Sequence, residues 1–302
     1  MSVRVAIVGA NGNLGRPLLD ALVGAGNIRV TVLRRSSPRP PPASVDAVRV
    51  LTVSEAWTTE ELTTLLRGED VVIACFPLHR LDSHLRLADA AAAAGVGRLI
   101  PADFGSVDSR SLRAQELVPL FLKKVRVRER LESLASEVPG FTWTSLVGGH
   151  FFDWGLKHNF LHFDLAAKRA DILDDGNQKS SLSTLARYCE AVLSVLSNLE
   201  ATANKVLFIQ SFCVSQNDVL AALERATGSE WAVERYGSDE FIKSRKEKAN
   251  EGDLEAVEDL VFALGVVDGN WEGRPEFAME LLGLKDEILD EAVSQVVRAF
   301  AR

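Results

Sequence analysis

Seven residues near the start of the chain place three glycines between two apolar segments. Residues 9–15 read Gly-Ala-Asn-Gly-Asn-Leu-Gly, directly after the apolar segment Val3–Val8 and at the start of Leu14–Val23, which has helical spacing. A short apolar segment without alternation is typical of a strand buried on both faces. These residues therefore predict a buried strand, a tight glycine turn and a helix, the first unit of a parallel sheet covered by helices.

The alternation of strand and helix patterns continues to about residue 147. Five more short apolar segments are typical of buried strands, and helical patterns lie between most of them. This order predicts an α/β fold with a doubly wound parallel (Rossmann) sheet. The predicted strands after the first are Ile28–Leu33, Val48–Val53, Asp70–Phe76, Arg98–Ala102 and Phe141–Val147. The predicted helices are Thr58–Leu66, capped by Thr58 or Thr59, Leu81–Ala94 and Gln115–Glu137.

Beyond about residue 150 the alternation weakens and helical patterns predominate. With 302 residues, of which 47% are hydrophobic, the chain is long enough for one large core or two coupled lobes. We predict a Rossmann domain over residues 1–150 and a smaller, more helical lobe over residues 151–302, together forming one folding unit. The segments predicted there are a strand at Lys205–Ile209 and helices at Leu182–Leu196, Val214–Thr227, Asp239–Asn250, Leu254–Leu264 and Asp286–Phe300.

Each glycine of residues 9–15 has a mechanical role in binding a dinucleotide. Gly9 permits the sharp turn out of the strand, Gly12 lets the backbone approach a pyrophosphate, and Gly15 lets the helix pack closely on the sheet. The helix N-terminus offers backbone N–H groups and a partial positive charge to the phosphates. The alternative is a packing turn without a ligand. The candidate cofactor-binding residues of this loop are Gly9, Asn11, Gly12, Asn13, Leu14 and Gly15.

The end of the second predicted strand distinguishes between the two nicotinamide coenzymes. NAD-binding folds carry an acidic residue there for the ribose hydroxyls, whereas this strand ends in Arg34 and Arg35, followed by two serines. Arginine pairs with phosphate in a bidentate geometry, and Arg34 follows Gly15 by close to the roughly 20 residues expected. We therefore predict NADPH as the cofactor, with Arg34 favoured over Arg35. In the alternative, both arginines are solvated charges beside the proline-rich surface loop Ser36–Ala43.

A lysine interrupts the apolar face of the helix predicted over Gln115–Glu137. On a helical projection Lys124 falls in the middle of an apolar stripe, whereas Lys123 falls at its edge. A buried lysine is costly unless it reaches a partner or a cleft, where it donates a hydrogen bond or titrates, and the alternative is a lysine that extends to solvent. Arg128, one turn later, would depress the lysine pKa unless it is itself paired. The stripe consists of Leu117, Leu120, Phe121, Val127 and Leu131.

Charge and cysteine usage exclude several classes of protein. The formal net charge of −8 leaves no broad basic surface, so we predict no nucleic-acid partner. No apolar stretch reaches the roughly 18 residues of a membrane span, and no signal peptide is recognisable, so we expect a cytoplasmic protein without membrane contact. The three cysteines lack paired spacing and the histidines form no ligand cluster, so we predict neither disulfides nor a metal site. The sequence contains no indication of the oligomeric state.

Six segments between residues 9 and 184 occur in an order known from one family. They are GANGNLG at 9–15, VLRRS at 32–36, IPADFGS at 100–106, FLKKVRVRERLE at 121–132, GGHFFDWG at 148–155 and DDGNQKSSLST at 174–184. Through these segments the chain resembles the NmrA-like and isoflavone reductase-like group of atypical short-chain dehydrogenases/reductases.

The resemblance implies roles for several residues. Those reductases have a helix of pattern K-x-x-(I/V)-R-x-x-(I/L)-E, whose lysine is their proposed general acid/base and contacts the nicotinamide ribose; Lys124 matches it. Their arginine after the second strand binds the 2′-phosphate and matches Arg34. Phe76 and Phe104 follow the fourth and fifth strands, and we expect both to flank the nicotinamide, because ligands bind beyond the carboxyl ends of parallel strands.

The chain also departs from the family pattern. The reductases usually have Pro-Ser-Glu-Phe-Gly where this chain has Pro101-Ala102-Asp103-Phe104-Gly105, so a hydroxyl is lost and the acid is shorter. The Tyr-x-x-x-Lys pair of typical short-chain dehydrogenases is absent. Where the reductases commonly have asparagine before the aromatic segment that follows the sixth strand, this chain has Gly148-Gly149-His150. The substrates of the plant members are therefore not implied.

An aromatic segment follows the sixth predicted strand. His150, Phe151 and Phe152 are candidate substrate-binding residues, because aromatic walls suit a flat apolar substrate. The alternatives are core packing, or an acid/base role for His150.

Two classes of function follow from these patterns. The first is an NADPH-dependent reductase of a small-molecule substrate, aromatic or a conjugated carbonyl or enone, held by the second lobe, with Lys124 as general acid/base. The second is a non-catalytic NADP(H)-sensing NmrA-like regulator that binds a protein partner. An isomerase or cyclase that uses the same pocket without net redox change is a further alternative.

Overall fold

The computed structural model describes residues 2–35 and 48–301, so the predicted loop Ser36–Ala43 lies outside the described residues. The strands are β1 (Val3–Val8), β2 (Ile28–Arg35), β3 (Val48–Val53), β4 (Val71–Ala74), β5 (Arg98–Ile100), β6 (Thr142–Val147), β7 (His150–Phe151), β8 (Phe163–Asp164), β9 (Arg169–Leu173), β10 (Lys179–Ser183), β11 (Lys205–Phe208), β12 (Phe212–Ser215) and β13 (Ala232–Tyr236). The helices are α1 (Gly15–Gly24), α2 (Thr59–Leu66), α3 (Leu81–Ala93), α4 (Leu112–Leu117), α5 (Pro119–Glu137), α6 (Phe152–Lys157), α7 (Leu185–Ser197), α8 (Gln216–Thr227), α9 (Ser238–Asn250), α10 (Leu254–Asp268) and α11 (Leu289–Phe300).

One large sheet has the strand order β11-β6-β5-β4-β1-β2-β3. Its five consecutive pairs from β6 to β3 are all parallel. Val5, Ala6 and Ile7 of the central strand β1 are fully buried, as expected for a strand covered on both faces. The strand order reverses between β1 and β4, the point at which open α/β sheets bind their ligands beyond the strand ends. The α/β fold class predicted from the sequence is therefore confirmed.

The prediction of one long helix over Gln115–Glu137 is wrong, because the structure has two helices there, α4 and α5. Between them Val118 is extended, with φ −132° and ψ 108°. Pro119 causes the break, since a proline ring disfavours the helical conformation of the preceding residue. Pro119 itself occupies the first position of α5, where its missing N–H needs no partner.

The chain divides into two compact units. The first consists of Met1–Phe104, Leu120–Leu146 and Tyr188–Leu207, and the second of Gly105–Pro119, Val147–Arg187 and Phe208–Arg302. The sequence-based boundary at residue 150 and the single folding unit stay predictions. No helix within the described residues is long and apolar enough to cross a membrane.

The second unit contains two small sheets that the sequence patterns did not predict. They have the strand orders β12-β10-β7 and β13-β9-β8. The helices predicted to begin at Leu182 and Val214 begin later, because the strands β10 and β12 precede them. At α8 the cause is a capping box, in which the side chains of Ser215 and Asp218 accept hydrogen bonds from each other's backbone N–H groups.

Candidate functional site

Backbone contacts determine the shape of the glycine loop. Gly9 has φ +90°, and a Cβ there would lie 2.6 Å from the carbonyl group of Cys75, just after β4. A Cβ on Gly15 would lie 2.0 Å from the carbonyl oxygen of Gly9. Both positions therefore require glycine for the loop to adopt this shape. Gly12 differs, because a Cβ there would lie 3.3 Å from its nearest neighbours and a small shift would accommodate it.

The residue that precedes α1 does not cap the helix with its side chain. Leu14 precedes the helix and makes no side-chain capping hydrogen bond, and the first turn contains no acidic residue. The first N–H groups of a helix lack partners within the helix and form the positive end of its dipole. Asn13, Leu14 and Gly15 therefore lie where an anion such as phosphate can be bound.

A cavity of about 420 Å³ lies beyond the carboxyl ends of β1, β2 and β4. It brings together six of the residues predicted to bind the cofactor, which are Gly9, Asn11, Gly12, Arg34, Arg35 and Phe76. Asn13, Leu14, Gly15, Phe104 and Lys124 are not among its lining residues. The lining residues that sequence reasoning missed are Val8, Ala10, Val32, Leu33, Trp57, Cys75, Pro77, His79, Arg80 and Ser83.

Trp57 forms one wall of this cavity, although no sequence pattern singled it out. Its ring is buried, and its Nε1 donates a hydrogen bond to the carbonyl oxygen of Ser83 at 2.9 Å. The guanidinium of Arg35 lies 5.5 Å from the centre of the Trp57 ring, within the range of a cation–π contact. Phe76 meets the same ring edge-on at 5.8 Å. The sequence signal that could have indicated Trp57 is its position shortly after the end of β3, because ligands bind beyond the carboxyl ends of parallel strands.

The segment that follows β4 is held by side chains of two helices. Lys123 of α5 donates from Nζ to the carbonyl oxygen of His79 at 2.9 Å. His84 of α3 donates from Nε2 to the carbonyl oxygen of Pro77 at 3.3 Å, and its ring stacks on Phe76 with centres 3.8 Å apart. Burial lowers the pKa of His84 to about 4, so this ring is neutral near pH 7.

Lys124 lies on the buried face of α5, as the helical projection predicts. Its side chain is 8% exposed, and Nζ donates a hydrogen bond to the carbonyl oxygen of Asp103 at 3.0 Å. The Asp103 carboxylate approaches the same ammonium group, with Oδ1 3.8 Å from Nζ. Its other oxygen, Oδ2, accepts hydrogen bonds from Arg128 and from Ser145. Arg128 is therefore paired, although it also lies close to Lys124.

These contacts act on the Lys124 pKa in opposite directions. Burial lowers the pKa most, the Asp103 carboxylate raises it, and the Arg128 guanidinium lowers it, so the net change is downward from the ordinary value. A small cavity of about 10 Å³ is lined by Asp103, Lys124, Arg128 and His84, together with apolar neighbours. The side chains of Asp103, Lys124, Arg128 and Ser145 form the Lys124 cluster. The Phe76 ring lines the larger cavity and stacks on the His84 ring, which lines the smaller one, so the larger cavity and the Lys124 cluster are neighbours.

The second unit holds the predicted aromatic segment. The His150 ring is buried, donates from Nε2 to the carbonyl oxygen of Val261 at 3.1 Å, and packs directly against Gly265 of α10. Burial lowers the pKa of His150 to about 4. Phe152 is fully buried, which fits the core-packing alternative, whereas Phe151 is half-buried. Substrate contact by this segment stays a prediction.

Phe104 and the cysteines complete the predicted positions. The Phe104 ring meets Tyr188 edge-on at 5.7 Å within the first unit. Cys75, Cys189 and Cys213 form no disulfide, and burial raises the pKa of the Cys75 thiol. Among the residues that the structure describes, no three histidine, cysteine or acidic side chains are grouped to hold a metal ion.

The chain is similar along its whole length to known proteins. The oxidoreductase aprR of Aspergillus flavus is 33% identical over 303 residues, with 99% of this chain and 100% of the relative covered. The oxidoreductase poxI of Penicillium oxalicum is 31% identical, with 96% and 92% covered. A leucoanthocyanidin reductase of Vitis vinifera, solved as a binary complex with NADPH, has a similar fold, with a TM-score of 0.78 at 18% identity and 98% and 99% covered.

A family match agrees with these relatives. Residues 1–260 match the NmrA-like family, a span that contains the glycine loop, the larger cavity and the Lys124 cluster. The resemblance inferred from the six sequence segments is confirmed, and the relatives' names agree with the predicted enzyme class, oxidoreductase. The chain belongs to the NmrA-like family.

Proposed function

We propose that the protein is an NADPH-dependent reductase of a small aromatic or conjugated carbonyl or enone substrate. The observation that carries the proposal is the cavity of about 420 Å³ at the point where the strand order reverses. Such a position is the usual ligand site of an open α/β sheet. The uncapped start of α1 beside it suits the pyrophosphate of a dinucleotide.

Two features of the cavity support a bound nucleotide, and the first of them favours a nucleotide with an additional phosphate. Its described lining includes the three arginines Arg34, Arg35 and Arg80 and no carboxylate. A carboxylate would favour the unmodified ribose of NADH, whereas guanidinium groups pair with a 2′-phosphate. Gly12 supports a bound dinucleotide of either kind, because the protein's own packing nearly tolerates a Cβ there. Close approach of a ligand is then the reason for glycine at this position.

Lys124 would act on the substrate as a proton donor. NADPH, when bound, supplies the hydride, and the reduced carbonyl or enone must gain one proton. The Lys124 ammonium group is a buried cation whose pKa is lowered by desolvation, which makes it a better acid than an exposed lysine. The roles of His150 and Phe151 in binding the substrate belong to the same proposal.

A side-by-side fluorescence titration of the purified protein with NADPH and NADH tests the coenzyme part of the proposal. We expect tight binding of NADPH and weak binding of NADH. Equal affinities, or no binding of either, would refute it. With NADPH bound, its oxidation in the presence of conjugated aldehydes, ketones and enones tests the reductase part.

A non-catalytic NADP(H) sensor is the second candidate function. The observation that favours it is the burial of Lys124, whose Nζ donates to the Asp103 carbonyl oxygen. A sensor would bind the oxidised and reduced coenzymes and turn over no substrate of the panel. Turnover of one substrate would exclude this candidate.

A further inference from the structure

Asp103 contacts three polar side chains from two elements of the first unit. Arg128 and Ser145 both donate hydrogen bonds to Oδ2, while Lys124 donates to the Asp103 backbone carbonyl oxygen at 3.0 Å. The other carboxylate oxygen, Oδ1, is buried, has no hydrogen-bond partner among the described residues, and lies 3.8 Å from Lys124 Nζ. Oδ2 thus accepts hydrogen bonds from two side chains, whereas Oδ1 faces the Lys124 ammonium group.

The charged side chains of the Lys124 cluster are all buried. Lys124 and Arg128 are 8% and 1% exposed, and Asp103 is 3% exposed. Water therefore screens these charges little, and two buried cations one helical turn apart repel each other. His84 lines the same small cavity, and its pKa of about 4 leaves it neutral near pH 7. Asp103 is the acidic residue among the described residues that line that cavity.

The other neighbours of the Lys124 ammonium group stabilise its charge little. The ring of Phe121 lies 5.6 Å from Nζ and offers only a weak cation–π contact. Val127 lines the cavity with an apolar surface. Without the Asp103 carboxylate, an ammonium group at Lys124 would face apolar side chains and the Arg128 guanidinium.

We propose that Asp103 is a positioning residue that holds Lys124 as a charged ammonium group, while Arg128 and Ser145 orient the Asp103 carboxylate. The proposal deepens the proposed function, since it assigns the device that prepares the proton donor. Its test does not depend on that function, because the charge of Lys124 is measurable without coenzyme or substrate.

The experiment measures the pKa of Lys124 in the full-length protein from the pH dependence of its acylation by acetic anhydride, read by peptide mass spectrometry. In Asp103→Asn we expect the Lys124 pKa to fall by about 1–3 pH units, because an opposing charge is lost and Arg128 remains. Lys123 of the same helix is the internal control, and its labelling profile should not change between variants.

The direction of the change separates an electrostatic role from a structural one. If Asp103 only supported packing, Asp103→Asn would loosen the cluster, admit water and raise the Lys124 pKa toward its ordinary value. A rise, or no change, would overturn the proposal. The labelling experiment and the NADPH titration are independent measurements, so failure of this proposal and failure of the proposed function are distinguishable.

A second comparison covers the case in which Asp103→Asn does not fold with two unbalanced cations. Arg128→Gln removes one cation, and we compare it with the double variant Asp103→Asn/Arg128→Gln. The Lys124 pKa should again be lower in the variant that lacks the carboxylate. Equal values in this pair would also overturn the proposal.

Discussion

Replacement of Arg34 by alanine tests the assignment of the coenzyme most directly. Arg34 is the penultimate residue of β2 and lines the cavity together with the glycine loop. A charge-assisted hydrogen bond contributes about 1.5–3 kcal/mol, and each 1.4 kcal/mol corresponds to a tenfold change in affinity. Loss of this contact should therefore weaken NADPH binding by about 10- to 150-fold. NADH lacks the 2′-phosphate, so its affinity should change by less than about threefold.

The assay is a fluorescence titration of wild type and Arg34→Ala with both coenzymes at one fixed salt concentration. Arg126→Ala is the matched control, because it removes the same charge from an exposed arginine that pairs with Glu129 on α5. The control should leave both affinities unchanged. An equal loss for NADPH and NADH in Arg34→Ala would refute the assignment of Arg34 to the 2′-phosphate.

Three further variants and one pH–rate profile address the glycine loop and the lysine. Gly15→Ala should abolish NADPH binding and reduce stability by about 1–3 kcal/mol, because the added Cβ would overlap the backbone of Gly9. Gly24→Ala is the control, because Gly24 has open space around it, and it should change neither the melting temperature nor the NADPH affinity. Gly12→Val should abolish NADPH binding with little change in melting temperature, and retained affinity would contradict its assignment to the pyrophosphate. Lys124→Met should lower kcat by about 10²–10⁴-fold while the fold stays intact, and an unchanged kcat would remove its proposed role. Lys124 must be protonated to donate a proton, so kcat should fall as the pH rises through the Lys124 pKa. Burial lowers this pKa from its ordinary value of 10.5, so the decrease in kcat should lie below pH 10.5 in a pH–rate profile.

The first unit was predictable because its signals are local. Continuous apolar strands, the glycine spacing and the arginines at the end of β2 follow directly from the order of residues. The break between α4 and α5 could also have been predicted, since a proline restricts the conformation of the residue before it. The helix prediction failed because the apolar periodicity continues across the break.

Other features could not be predicted, for different physical reasons. All residues of β13 are exposed, so no apolar alternation marks it as a strand. The contact of Trp57 with Arg35 joins two elements that are distant in sequence, so no local pattern indicates it. Asp103 and Arg128 are likewise 25 residues apart, and only the folded chain shows that one neutralises the other.

The glycine loop has a consequence for how the sequence can change over evolution. A Cβ at Gly9 would overlap backbone atoms of Cys75, and a Cβ at Gly15 would overlap the backbone of Gly9, so no neighbouring side chain can be exchanged to make room. A substitution at either glycine has no compensating partner elsewhere in the chain. The overlapping atoms of Cys75 belong to its backbone, so the constraint on Gly9 does not depend on which side chain stands at position 75.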